Sequence, residues 1–223
     1  IANFVTNQTY KDFVCIIFDN GSTDGTCEKM QRFAESDKRV IFKSFENKNT
    51  LMVDCLFPLL FELSKSEDDL FARVDADDEI TADYIEKLVD FQIKTKADIV
   101  CCGCRFVDAD TNEEFGGRKV DEDILLGEDE FGHNFPRYYN FIRTHWAKAF
   151  TIEVLKRMEK RGLYATSYGV DTIITQEALR SASSMGIMKD VLYTWYRYKK
   201  VKVYDLNPER MMSPVVLFSR SLD

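Results

Sequence analysis

Twice in this chain an apolar run stops abruptly on acidic residues. Phe13 to Phe18 (FVCIIF) leads straight into DNGSTDGT at 19–26, and Leu70 to Asp75 (LFARVD) opens into DADDEI at 75–80. Short, continuous and partly β-branched runs of this kind mark strands buried on both faces. Further strands are expected at 40–45 and 99–102, the latter running on to 106. Between the strands the apolar spacing is helical. A helix ends over 1–8, and others cover 26–34 and 53–64, the last with Pro58 inside it. A fourth begins near Thr81 as N-cap and carries Ile85, Leu88, Val89 and Ile93 on one stripe. Strands alternating with helices across short loops predict an α/β fold with a mostly parallel central sheet and helices on both faces. Such sheets bind ligands at the carboxyl ends of their strands, and both acidic clusters fall there.

Composition narrows the classes. The 223 residues fit one large domain, and 45% hydrophobic with 30% charged residues suits a sizeable core. A formal net charge of −8 argues against a nucleic-acid partner, which needs a surplus of Lys and Arg to neutralise phosphates. An anionic ligand is still accessible if a divalent metal supplies the positive charge. No apolar run approaches the roughly 18–20 residues needed to span a bilayer, and no signal-peptide pattern is visible. Of the six cysteines, Cys15, Cys101, Cys102 and Cys104 sit in or beside apolar runs. They read as reduced core thiols in a cytosolic protein, and vicinal CCGC spacing is poor for one tetrahedral zinc. The second half is less regular. Residues 107–135 read as a polar, acidic excursion, 150–160 and 171–181 as helices, and 191–196 as a strand. The tail RYKKVKV at 197–203 reads as a solvated strand edge, with a phosphate contact as the alternative.

Asp75, Asp77 and Asp78 crowd negative charge into one turn. Such carboxylates repel and raise one another's pKa unless a partner intervenes. Mg2+ or Mn2+ is the usual partner, and one or two carboxylates suffice when a bound diphosphate supplies the other oxygens. The same residues also read as an acidic turn placed favourably before a helix N-terminus. In DNGSTDGT, Asn20, Gly21, Asp24 and Gly25 permit tight, positive-φ backbone, and the Asp19 carboxylate could accept the imide N–H of a uracil ring. The plainer alternative is a strand-to-helix turn with Ser22, Thr23 or Asp24 as N-cap.

Together the motifs resemble one family. NQTY at 7–10, FDNGSTDGT at 18–26, RVDADDEI at 73–80 and KADIVCCGCRFVD at 96–108 follow the order and spacing of inverting family 2 glycosyltransferases, which use nucleotide-sugar donors. Weaker similarity continues through HWAKAF at 145–150, YGVDTIIT at 168–175 and LYTWYRY at 192–198. The resemblance implies a GT-A fold with a Rossmann-like sheet, a nucleotide-sugar-binding half over 1–106 and a less regular acceptor-side half over 107–223. It implies that Asp19 contacts the nucleobase, with Asn20 and Ser22 beside it. Asp75 would contact ribose or metal, Ala76 would lie at the donor, and Asp77 would ligate Mn2+ or Mg2+. Asp171 would be the general base that deprotonates the acceptor hydroxyl, and it equally suits the N-cap of its helix. The implied partners are a nucleotide-sugar donor, foremost a uridine diphosphate sugar, and a glycan or lipid-linked acceptor. The implied setting is bacterial cell-surface polysaccharide synthesis in the cytoplasm, with peripheral association at the inner face of the membrane. His133, His145, Trp146 and Tyr168 are either acceptor contacts or structural residues.

The sequence departs from the family pattern in places. Family members open with a strand of the type VSIIIPxYN before the helix that ends in NQTY, whereas this sequence begins inside that helix. The expectation is that the protein's true N-terminus lies further upstream, with that strand in the middle of the sheet. The usual N-x-G and A-R-N segments are replaced by Asn47-Lys48-Asn49 and Val53-Asp54-Cys55, and Val170 replaces the glutamate before the catalytic aspartate. These changes keep a catalytically degenerate binding or scaffold protein in play. A phosphotransferase with an Asp nucleophile is the third reading, weakened because DADDEI follows a later strand.

Overall fold

The computed structural model describes residues 1–45, 52–161 and 170–199. Asn47-Lys48-Asn49, Tyr168 and the tail from residue 200 lie outside the described residues. The elements in chain order are α1 (Ala2–Asn7), β1 (Cys15–Asp19), α2 (Thr26–Ser36), β2 (Val40–Ser44), α3 (Met52–Leu63), β3 (Leu70–Ala72), β4 (Glu79–Ile80) and α4 (Tyr84–Thr95). There follow β5 (Ile99–Asp108), β6 (Glu114–Arg118), β7 (Ile124–Gly127), α5 (Phe131–Ile142), β8 (Lys148–Thr151), α6 (Ile152–Arg161), α7 (Val170–Ser181) and β9 (Ser184–Arg197). Among the described residues no helix is long and apolar enough to cross a membrane.

Alternation along β5 explains the layering. Ile99 and Cys101 point into one core with Leu56, Phe57 and Leu60 of α3, Leu155 and Met158 of α6 and Ala178 of α7. Val100, Cys102 and Cys104 point into another with Tyr84, Leu88 and Phe91 of α4. Helices therefore cover both faces of the central sheet, as a strand with no polar face requires. Cys101, Cys102 and Cys104 are buried free thiols, as their apolar setting predicts.

The α/β class is the one the sequence predicts, but the strand pairing is mixed. β1 and β2 form a parallel pair. The larger sheet runs β3-β8-β5-β9-β4, with β6 on β5 and β7 on β9. Only β5 and β9 are parallel in it. Besides β3, β4 and β8, the antiparallel strands include β6 and β7 from the stretch read as an excursion at 107–135, which also holds the start of α5. The turn into β6 is built on Asp108, whose Oδ1 accepts from the backbone N–H groups of Asp110 and Thr111, with Asn112 at φ 58°. An Asx turn of this kind makes DADTN a hairpin rather than a loop.

Two helical details also differ. Asp83 rather than Thr81 is the N-cap of α4, and Thr81 N–H instead bonds Leu192 O of β9. The buried face of α4 is Tyr84, Leu88 and Phe91, which leaves Ile93 exposed. The strand expected at 70–75 stops at Ala72.

The parallel pair and the larger sheet face each other across an apolar cleft of about 420 Å3, lined by Cys15 to Phe18 of β1 and Leu70 to Ala76 at and beyond β3. Val5 of α1, Leu60 of α3 and Tyr84 of α4 close its sides. β1 has no partner strand on its cleft edge among the described residues.

Candidate active site

The Asp19 turn is held by its own first residue. Asp19 ends β1 at 6% exposure, and its Oδ2 accepts from Gly21 N and Ser22 N at 3.1 Å and from Ser44 Oγ of β2 at 3.2 Å. Hydrogen bonds led by those from Ser22 hold its carboxyl below the usual range against the opposing effect of burial. Gly21 and Gly25 take φ of 80° and 84°, the left-handed conformation that favours glycine. Gly25 itself occupies the N-cap of α2, while Asp24 Oδ1 accepts from Thr26 N. Asn20 and Ser22 are exposed.

The second acidic turn is held from far away. Asp78 is 3% exposed and points inward. Its Oδ2 accepts from the Tyr193 hydroxyl at 2.7 Å and its Oδ1 from Tyr196 N at 3.1 Å, both on β9. The same Tyr193 oxygen accepts from Asp75 N at 3.2 Å, so one hydroxyl ties both ends of the turn. Burial, only partly offset by the Tyr193 and Tyr196 bonds, pushes the Asp78 carboxyl up to about 6. Asp75 Oδ1 accepts from Arg73 Nε at 3.1 Å. Ala76 and Asp77 are exposed at the tip, where the Asp77 carbonyl accepts from the Tyr198 hydroxyl. Three crowded carboxylates thus have three fates: one ion-paired, one exposed, one buried.

Asp171 stands in the first turn of α7 with its side chain 44% exposed, and its Oδ1 lies 2.7 Å from His145 Nδ1. Burial alone would raise its pKa, but contact with His145 and the charges of Arg73 and Lys148 hold it below the usual value. Arg73 therefore acts on both Asp75 and Asp171. It also bridges by backbone to Trp146, which stacks on Tyr193 with ring centroids 5.1 Å apart. Lys148 is buried, its ammonium donating to the carbonyls of Phe141 and Ile142 at the end of α5, and burial lowers its pKa to about 8. It anchors α5 to β8 and so fixes the segment that carries His145.

Of the residues singled out in the sequence, Asp75 and Ala76 line the apolar cleft together with Phe18, the neighbour of Asp19. Asp171 is linked to that turn through His145, Trp146 and Arg73. His133 is exposed on α5, away from these contacts. Arg73 and Tyr193 are the site residues that sequence reasoning passed over. Their signals lay in RVDAD and LYTWYRY, motifs noticed for other members. Among the described residues no group of three His, Cys, Asp or Glu side chains converges as a metal centre. The exposed Asp77 carboxylate, a hard oxygen donor with no side-chain ion pair among those described, fits a cation that takes its other oxygens from a ligand.

Comparison with known proteins accords with this geometry. The family model "Glycosyl transferase family 2" matches residues 2–159. The succinoglycan biosynthesis protein ExoA of Rhizobium meliloti is 38% identical over 85 residues, which are 38% of this chain and 25% of that protein. Staphylococcus aureus TarS 1–349, solved in complex with UDP, superposes with a TM-score of 0.69 at 15% identity, over 88% of this chain and 55% of that one. The mannosyltransferase PcManGT of Pyrobaculum calidifontis, solved with GDP-Man and Mn2+, gives a TM-score of 0.55 at 15% identity, over 99% of this chain and 58% of that one. The chain thus spans a quarter of the length of the curated relative and little more than half of each solved structure. At such identities the two structures establish a shared GT-A fold. The family model runs through the Asp19 turn, the Asp75–Asp78 turn and the His145 segment alike, and the chain belongs to glycosyl transferase family 2.

Proposed function

We propose that this chain transfers a sugar from a nucleotide-diphosphate donor, a uridine diphosphate sugar, to a hydroxyl of a glycan or lipid-linked acceptor, with inversion at the anomeric carbon. Residues 1–106 hold the donor and residues 107–223 face the acceptor, the two halves sharing β5. Asp19, Asn20 and Ser22 serve the nucleobase, and Asp75 and Ala76 the ribose. Asp77 takes Mn2+ or Mg2+, whose charge would stabilise the departing diphosphate. Asp171 accepts the acceptor's proton as its oxygen bonds to the anomeric carbon. The work belongs to polysaccharide synthesis at the cytoplasmic face of a membrane. ExoA, named for succinoglycan biosynthesis, and TarS, solved with UDP, support this setting and donor by similarity.

The observation that carries the reading is the division of labour in the second acidic turn. Asp78 and Asp75 are tied down by Tyr193 and Arg73, which leaves Asp77 exposed beside a cleft that Phe18 and Asp75 both line. Calorimetry of the intact protein with UDP and Mn2+ tests it. Binding of the two should be coupled, and Asp77→Ala should weaken nucleotide binding in the presence of metal at least ~10-fold. Equal affinity with and without metal, in wild type and variant, would remove the metal assignment. Binding without sugar transfer would instead favour the non-catalytic reading.

A further inference from the structure

His145 precedes β8 and is 4% exposed, with Nδ1 2.7 Å from Asp171 Oδ1. That oxygen lies off the direction in which an Nδ1 proton points, and Nε2 has no hydrogen-bond partner among the described residues. A core histidine kept for packing has both nitrogens satisfied; this one turns one nitrogen to a carboxylate and the other to nothing. The arrangement selects the tautomer. A proton on Nδ1 lies on the carboxylate's side, close to Oδ1 though not aimed at it, and leaves only a bare lone pair on Nε2 without a partner. A proton on Nε2 would bury an unsatisfied N–H and set the Nδ1 lone pair against Asp171.

We propose that His145 is the positioning partner of Asp171, its Nδ1–H holding Oδ1 so that Oδ2 is presented to the acceptor hydroxyl. The inference rests on Asp171 being the base. As the acceptor oxygen bonds to the anomeric carbon, the bond to the diphosphate oxygen breaks and leaves with its electron pair. The hydroxyl proton passes to Asp171 Oδ2, and the imidazole keeps its own proton throughout. Contacts that are poorly aligned in a free enzyme close to hydrogen bonds in the complex. The charged groups facing the pair are Arg73 beyond β3 and Lys148 of β8, with Arg118 of β6 over the Trp146 ring at 4.5 Å. None of these cations can accept a hydrogen bond, so none competes with Asp171 for the imidazole proton.

The test follows Asp171 itself. In protein labelled with 13C at the Asp carboxyls, His145→Ala should raise the pH at which Asp171 titrates by about half a unit or more, because a donor to the carboxylate has been lost. The acidic limb of the kcat profile should move the same way, and kcat should fall about tenfold or more while the donor KM stays within about twofold. His145→Asn, whose amide can donate from nearly the Nδ1 position, should recover part of the rate and serves if the Ala variant does not fold. An unchanged Asp171 titration with kcat within about twofold of wild type overturns the inference, whatever happens to thermal stability. Asp171→Asn separates the two ideas. If that variant is inactive and His145 variants behave as wild type, only the positioning role fails. If it retains wild-type activity, the base assignment fails and the positioning role falls with it.

Discussion

The two acidic turns look alike in sequence and are built on opposite plans. In the first, the leading acid turns inward: Asp19 bonds its own loop and the neighbouring β2, and its partners lie within 25 residues along the chain. In the second, the trailing acid turns inward: Asp78 is gripped by β9, 115 residues away at Tyr193. The first turn is therefore a local object that needs only β1 and β2. The second is a tertiary object, and its exposed Asp77 is exposed because a distant tyrosine has claimed its neighbour. A carboxylate at a strand end is not by that fact a ligand; its role depends on which acid in the cluster the rest of the fold takes up.

The sharpest way to break this contrast is Tyr193→Phe. It strands a buried Asp78 without its hydroxyl donor and releases Asp75 N, and should cost about 3 kcal/mol in urea unfolding, more than a neutral hydrogen bond would. Nucleotide affinity through the Asp77 side should fall with it, while hydrogen exchange at Gly21 and Ser22 should stay as in wild type. Loss of protection at both turns would mean that they are one unit.

Acid should separate the turns next. Asp78 has a folded pKa of about 6 against 3.8 for the free carboxyl. Between those values the folded state binds more protons than the unfolded one, so stability at this site grows as pH falls. Asp19 is shifted downwards, so its contribution is present above the ordinary carboxylate value and is lost as pH falls through its lower folded value. With a chelator present, wild type should gain on the order of 2 kcal/mol relative to Asp78→Asn between pH 7 and 4. Relative to Asp19→Asn it should instead lose stability on further acidification. A pH-independent difference for Asp78 would contradict the assignment.

The smallest effect belongs to Gly25→Ala. At φ 84° a Cβ is strained whatever space surrounds it, at about 1 kcal/mol, and only the first turn and the start of α2 should respond. A change in Tm without a change in the Asp77 metal response would sharpen the separation.

The sequence is most legible where information is local. FVCIIF, the helical spacing over 26–34 and the run IVCC each specify an element without help, and β1, α2 and β5 form there. The hidden parts are set by pairing. EFGGR at 114–118 reads as a loop because of its glycines, yet Gly117 lies against β5, where a Cβ would come 2.5 Å from the Cys104 carbonyl. That glycine marks a close approach between strands, not a turn, and nothing within five residues of it says so. α5, with Pro136 inside it, begins within the stretch read as an excursion. At the candidate site the acids were visible, but their allocation was not. The distinction between Asp75, Asp77 and Asp78 comes from Arg73, Tyr193 and Tyr196, two of which lie more than a hundred residues away.

That separation also carries a clock. At a synthesis rate of roughly 5–20 residues per second, the Asp75–Asp78 turn waits on the order of 6–20 s for Tyr193 to be made. Until then Asp78 has neither the hydroxyl of Tyr193 nor the backbone donor of Tyr196. The Asp19 turn, needing only Ser44, can form within seconds of leaving the ribosome. A nascent chain would thus close the Asp19 turn early and the Asp75–Asp78 turn late. The second turn is completed only when β9 has been made and has paired beside β5.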